Sequence, residues 1–130
     1  MAYPDERWQA RVAAGAASRE RALFIAWQRE RPAGCAGGYR DAPGGVPALI
    51  SMWEAPSARR RGAARALVDA VAAWAQATGA VTLLLDVVST QQAARALYER
   101  RGFRYTGRSE AGRRDPTQVL LEMELALTAS

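Results

Sequence analysis

Pro56 and Gly62 bracket the segment that most constrains how this chain can fold. Proline sits neither inside a helix nor in a central strand, so Pro56 separates Leu49-Ile50-Ser51-Met52-Trp53, which reads as a strand, from the apolar run that ends at Trp74. In that run Ala63, Leu67, Val71 and Trp74 recur at spacings of three and four, giving one apolar helix face, while Arg65, Asp69 and Gln76 look outward. Thr78-Gly79 stops the helix, and Val81 to Val88, rich in β-branched residues, reads as a central strand. A strand, helix, strand order makes a right-handed crossover, so the strands before and after residues 62–78 should be parallel. The first N–H groups of a helix have no partner inside it and lie at the positive end of its dipole. The turn Arg59-Arg60-Arg61-Gly62-Ala63-Ala64 is therefore a site for phosphate, reinforced by arginine, where Gly62 lets a ligand approach the backbone.

At 130 residues and 49% hydrophobic, the chain has enough material for one domain with a real core, spanning residues 1–130. It has no run near the roughly 20 apolar residues of a membrane span and its start does not resemble a signal peptide, so the expectation is a cytoplasmic protein without a membrane partner. The single cysteine, Cys35, excludes an internal disulfide, and the lack of histidine excludes a zinc cluster and His-dependent nucleophilic catalysis. Cys35, among small residues, reads as a buried small hydrophobe. The net charge of +5 and pI of about 10.3 raise a nucleic-acid reading. Against it, all 18 basic residues are arginine, they are spread along the chain, and only Arg59-Arg60-Arg61 clusters, which suits one pyrophosphate better than a groove.

In chain order, Asp5 to Ala17 reads as an amphipathic helix with Trp8 and Val12 inward. Arg21 to Gln28 is a buried strand, Glu30-Arg31-Pro32 a turn, and Gly-rich Ala33 to Tyr39 its hairpin partner. Asp41-Ala42-Pro43-Gly44-Gly45 is a loop leading into the strand that ends near Glu54. Ser89 or Thr90 caps a helix from Gln91 to Arg101 that Gly102 ends. Phe103 to Thr106 starts a strand, Ser109 to Thr117 reads as a mobile loop near the active face, and Val119 to Leu127 alternates as a half-buried strand. No internal repeat is present.

Two ordered motifs carry a family resemblance. Arg59, Gly62 and Ala64 fit the Arg-x-x-Gly-x-Gly/Ala pattern of the GNAT superfamily of N-acetyltransferases, and Gln91 to Phe103 resembles its Asn-x-x-Ala-x-x-Leu-Tyr-x-x-x-Gly-Phe helix. The resemblance runs from residue 5 to residue 127, although typical members carry a further strand and helix ahead of this start. It implies an α/β (α+β) fold, with a mixed, mostly antiparallel central sheet flanked by helices and shortened at the N-terminus. It also implies acetyl-CoA (CoA) as cofactor, with the acetyl group passing to a primary amine of a small molecule or protein. The alternative is an inactive acyl-CoA-binding module.

By this resemblance the strand ending near Glu54 and the strand at 81–88 splay apart around the pantetheine arm. Backbone of Met52, Trp53 and Glu54 pairs with that arm, and N–H groups from Arg60 through Arg65, with Arg59, Arg61, Gly62, Ala63 and Ala64, hold the pyrophosphate. Gln91, in place of the usual Asn, and Ala94 lie on the cofactor side. Arg60 stands where members often have Gly, and neither it nor Ala64 removes an N–H donor. Tyr98 is the candidate acid for the departing thiolate, because a phenol with a pKa of about 10 stays protonated at neutral pH. The competing reading is a core aromatic packed on Ala94 one turn earlier. Glu54, where an aliphatic residue is commoner, is the candidate base for the amine, an anchor for a cationic substrate, or an edge charge. Asp86 is a second carboxylate candidate that strand geometry could equally turn to solvent. Without the family's first strand, the strand at residues 22–27 would present an open apolar edge, so a homodimer is expected, or else a shifted terminal strand covers it.

Overall fold

The computed structural model describes residues 13–28, 30–41, 44–56 and 62–127, with side chains from Ser18 onward. Seven strands, β1 (Ala13–Ala17), β2 (Arg21–Gln28), β3 (Arg31–Tyr39), β4 (Ala48–Glu54), β5 (Thr82–Val88), β6 (Arg104–Ala111) and β7 (Val119–Ala126), form one sheet in the order β1-β2-β3-β4-β5-β7-β6. Helix α1 (Ala63–Ala77) connects β4 to β5, and α2 (Gln92–Arg101) connects β5 to β6. Only β4 and β5 are parallel neighbours, as the crossover requires; the other pairs are antiparallel.

The core lies between α1 and the sheet. Leu67, Val68, Val71, Trp74 and Ala75 of α1 are buried, as are Ala22 and Ala26 of β2 and Ala33 and Ala36 of β3. β3 is poor in strand formers, yet its small residues are what admit the helix. A Cβ on Gly38 would sit 2.4 Å from the Trp74 ring, so any side chain there would displace the indole. Trp74 is fixed further by its Nε1, which donates to the Ser18 carbonyl at 2.7 Å.

Several boundaries differ from the sequence reading. Ala13–Ala17 is not helical but pairs antiparallel with β2, Ala14 opposite Phe24 and Ala17 opposite Ala22; the rest of the expected helix lies outside the described residues. Ala-Ala-Gly-Ala-Ala carries no period to choose a state, Gly15 disfavours a helix by about 1 kcal/mol, and the unpaired groups of β2 take the segment as a strand. The expected open edge at residues 22–27 is therefore closed, and among the described residues the outward edge belongs to β1.

Arg31 and Pro32 belong to β3 rather than to a turn, because the register slips after Ala26 and leaves Trp27 opposite Pro32, a position where the missing N–H is tolerated. β6 runs on to Ala111, since Ser109, Glu110 and Ala111 pair with Leu121, Leu120 and Val119, and the loop shrinks to residues 112–118. Neither Ser89 nor Thr90 caps α2. Its N-cap is Gln91 without a side-chain cap bond, while Ser89 gives its N–H to Val119 and accepts Arg95 Nη1 on its carbonyl. Gly102 ends α2 in the left-handed conformation, φ 110°, as expected.

Candidate active site

β4 and β5 meet once. Ala48 lies opposite Leu84, whose N–H donates to the Pro47 carbonyl at 3.0 Å, and no further pairing follows toward their C-terminal ends. A bulge explains the divergence. Cys35 faces Trp53 and Gly37 faces Ile50, so Ser51 and Met52 stand opposite Ala36 alone, and Ser51 takes a left-handed φ of 55°. Bulges bend and twist the strand that carries them, and here the bent strand leaves its parallel neighbour. Cys35 is half-buried rather than fully buried, and its thiol faces the Ser51 carbonyl at 3.6 Å.

The gap collects the C-terminal ends of two parallel strands and the helix starts that follow them. Gly62, φ 87°, is the N-cap of α1, and its carbonyl accepts the Ala66 N–H at 3.0 Å. With no acidic residue in the first turn of α1, the charge at its positive end comes from ten residues back: Glu54 Oε2 accepts the Ala64 N–H at 3.0 Å. In the sequence only an acid at the end of β4 points to this contact, and position alone reads as chemistry rather than capping.

Of the other candidate residues, Arg59, Arg60 and Arg61 lie outside the described residues. Ala63 is buried, Ala64 partly so, and Arg65 turns along α1 toward Asp69 at 3.4 Å. Asp69 also takes Arg101 Nε, which ties α1 to α2. Met52 packs against the core, whereas Trp53 is 51% exposed. Gln91 is exposed at the start of α2, and Ala94 packs at the core margin.

Tyr98 is 5% exposed, its ring edge-on to Phe103 at 5.7 Å between centroids, and burial pushes its phenol pKa above 10. It is thus a protonated donor and a core aromatic at once. Among the described residues its hydroxyl has no hydrogen-bond partner.

Asp86 lies on the exposed face of β5 opposite Glu122. Desolvation, then repulsion from Glu110 and Glu122, raises its carboxyl pKa, with Arg113 acting against them. A carboxyl raised in the folded state binds its proton there more readily than in the unfolded chain, so stability falls as pH rises between the two values. Asp86→Asn is expected to melt above wild type at pH 7, with the gap closing as pH falls toward about 4, the ordinary carboxylate range, and absent below it. Melting curves across pH check this, and a variant less stable at pH 7 would refute it.

A model of the acetyltransferase (GNAT) family matches residues 1–103, and the chain belongs to that family. No curated protein matches it by sequence. Solved structures match its fold. A nourseothricin acetyltransferase is 23% identical with a TM-score of 0.76 over 84% of this chain, which spans 66% of that protein. A Bacillus subtilis acetyltransferase in complex with CoA is 14% identical with a TM-score of 0.75, over 91% of this chain and 99% of the other. The ribosomal-protein-S18-alanine N-acetyltransferase from Escherichia coli is 20% identical with a TM-score of 0.71, over 97% and 84%.

Proposed function

We propose that the chain is an acetyl-CoA-dependent N-acetyltransferase that acetylates a primary amine of a small molecule or a protein. The observation that carries the reading is the β4–β5 gap opening beside a helix start that accepts an oxyanion. Glu54 is itself the test of fit, since a carboxylate sits on the Ala64 N–H where a phosphate oxygen would be received. In this reading the backbone of Met52, Trp53 and Glu54 lines the pantetheine arm. Gly62 to Arg65, with Arg59 to Arg61, hold the pyrophosphate, and Gln91 and Ala94 border it. Acetyl-CoA, when bound, supplies an activated acyl thioester.

The chain's own residues then move protons. Tyr98, kept protonated by burial, donates to the departing sulfur. Glu54, ending β4 beside the gap, is the carboxylate assigned to the proton of the incoming amine, released for that role when a phosphate oxygen takes the Ala64 N–H it holds in the free chain. The protein would work in the cytoplasm, without a nucleic-acid or membrane partner, as a homodimer that covers the outer edge of β1 rather than of β2.

Thiol release from acetyl-CoA across a panel of small amines and amino-terminal peptides tests the activity. Release that depends on added amine is the expected result. CoA binding with no release on any amine would leave a binding module instead.

A further inference from the structure

A second cavity lies at the opposite end of β4 and β5, where the strands are joined. It has a volume of about 280 Å³ and is lined by Arg19, Arg40, Pro47, Thr78 and Thr82, with Gly44 at its exposed rim. The seven residues of β4, at about 3.3 Å each, put it roughly 20 Å from the Glu54 end.

Arg40 is the unusual member. It follows β3 directly and its backbone N–H donates to the Glu20 carbonyl at 2.9 Å, which fixes the residue beneath the surface. The side chain is 5% exposed, and its Nε is buried with no hydrogen-bond partner. No ion pair between described residues involves Arg40, so none of their carboxylates answers it. Folded proteins pair buried charges, because an uncompensated guanidinium away from water is strongly unfavourable. Arg19 brings a second guanidinium to the same walls, its Nη2 3.5 Å from the Thr78 carbonyl. The C-terminal end of α1 contributes only about half a negative charge there, against two full positive ones.

We infer that this cavity is a binding site for a small oxyanion, a phosphate or a carboxylate, held by Arg40 and Arg19. A planar guanidinium offers paired N–H donors that match two oxygens of either group, and burial narrows the conformations that this one can take before it binds. The site is separate from the gap and does not depend on acetyl transfer.

Calorimetric titration of inorganic phosphate and, separately, of succinate into the full chain tests the inference, with chloride matching ionic strength. The variants are Arg40→Gln, Arg19→Gln and Gly62→Glu. Binding of at least one anion by wild type, retained in Gly62→Glu and at least tenfold weaker in Arg40→Gln and Arg19→Gln, is expected, and the anion that binds identifies the source. No binding of either anion overturns the inference, as does binding unchanged in the arginine variants. Binding lost only in Gly62→Glu also overturns it, since that places the anion at the start of α1. Melting gives a second reading. Arg40→Gln should match or exceed wild type without anion and fall below it at saturating anion, whereas a loss of stability in both buffers would mean that Arg40 serves the fold alone. If Arg40→Gln fails to fold, the inference is likewise overturned for Arg40, and Arg19→Gln decides whether an anion site remains.

Discussion

Tyr98→Phe is expected to lower turnover by about a hundredfold, within the range for losing a general acid, while CoA affinity stays near that of wild type. A hundredfold loss corresponds to about 2.7 kcal/mol of transition-state stabilisation, more than a small shift of a packed ring would produce. The phenyl ring keeps the edge-on contact with Phe103 and the place in the core. Because the hydroxyl has no partner among the described residues, its removal should leave the melting temperature unchanged or slightly raised. Steady-state kinetics with a CoA binding measurement separates the outcomes. Unchanged turnover would make Tyr98 a core residue only, and a joint loss of binding and turnover would mean the hydroxyl holds CoA in ground and transition states alike.

CoA and acetyl-CoA are expected to raise the melting temperature, and Gly62→Glu to abolish that rise. Ligand at one hundred times its dissociation constant contributes about 2.7 kcal/mol by mass action, and a carboxylate at the helix start would obstruct and repel a pyrophosphate. Since Gly62 has φ 87°, any side chain there adds strain of about 1–2 kcal/mol, so Gly62→Ala is the control and should retain the CoA response at a lower baseline. Glu54→Gln gives the complementary result. Removing the internal anion from the Ala64 N–H should tighten CoA binding, and if Glu54 also takes the amine proton, turnover should fall although binding improves. A melting temperature indifferent to saturating CoA would overturn the reading of the α1 start.

The strand, turn and helix around Pro56 and Gly62 were legible because proline, glycine and a three-four apolar spacing each act locally. So was the parallel pairing that follows from the crossover. The N-terminal strand was not legible, because Ala-Ala-Gly-Ala-Ala carries no period and its state is decided by the open edge of β2. The length of β6 escaped for a related reason: Ser109 to Ala111 is polar and unremarkable alone, and becomes strand only by pairing with β7. At the site, residue types could nominate Glu54 and Tyr98 but could not place them. The Glu54 carboxylate reaches Ala64 across a turn, and the lone Arg40 is buried by neighbours distant in sequence.

The unequal edges of β5 divide the molecule. One edge is paired with β7 through seven consecutive residues, from Thr82 opposite Ala126 to Val88 opposite Leu120; the other is paired with β4 at one point, Ala48 with Leu84. A hydrogen-bonded sheet usually unfolds as a unit because each strand shares its donors and acceptors with the next. Here that sharing lapses along most of a seam, so β1 to β4 and β5 to β7 are two plates joined by one backbone pairing and by the side-chain core they share. An extended molecule with amide groups, laid along the seam, would stand in for the absent ladder and make the plates one cooperative body.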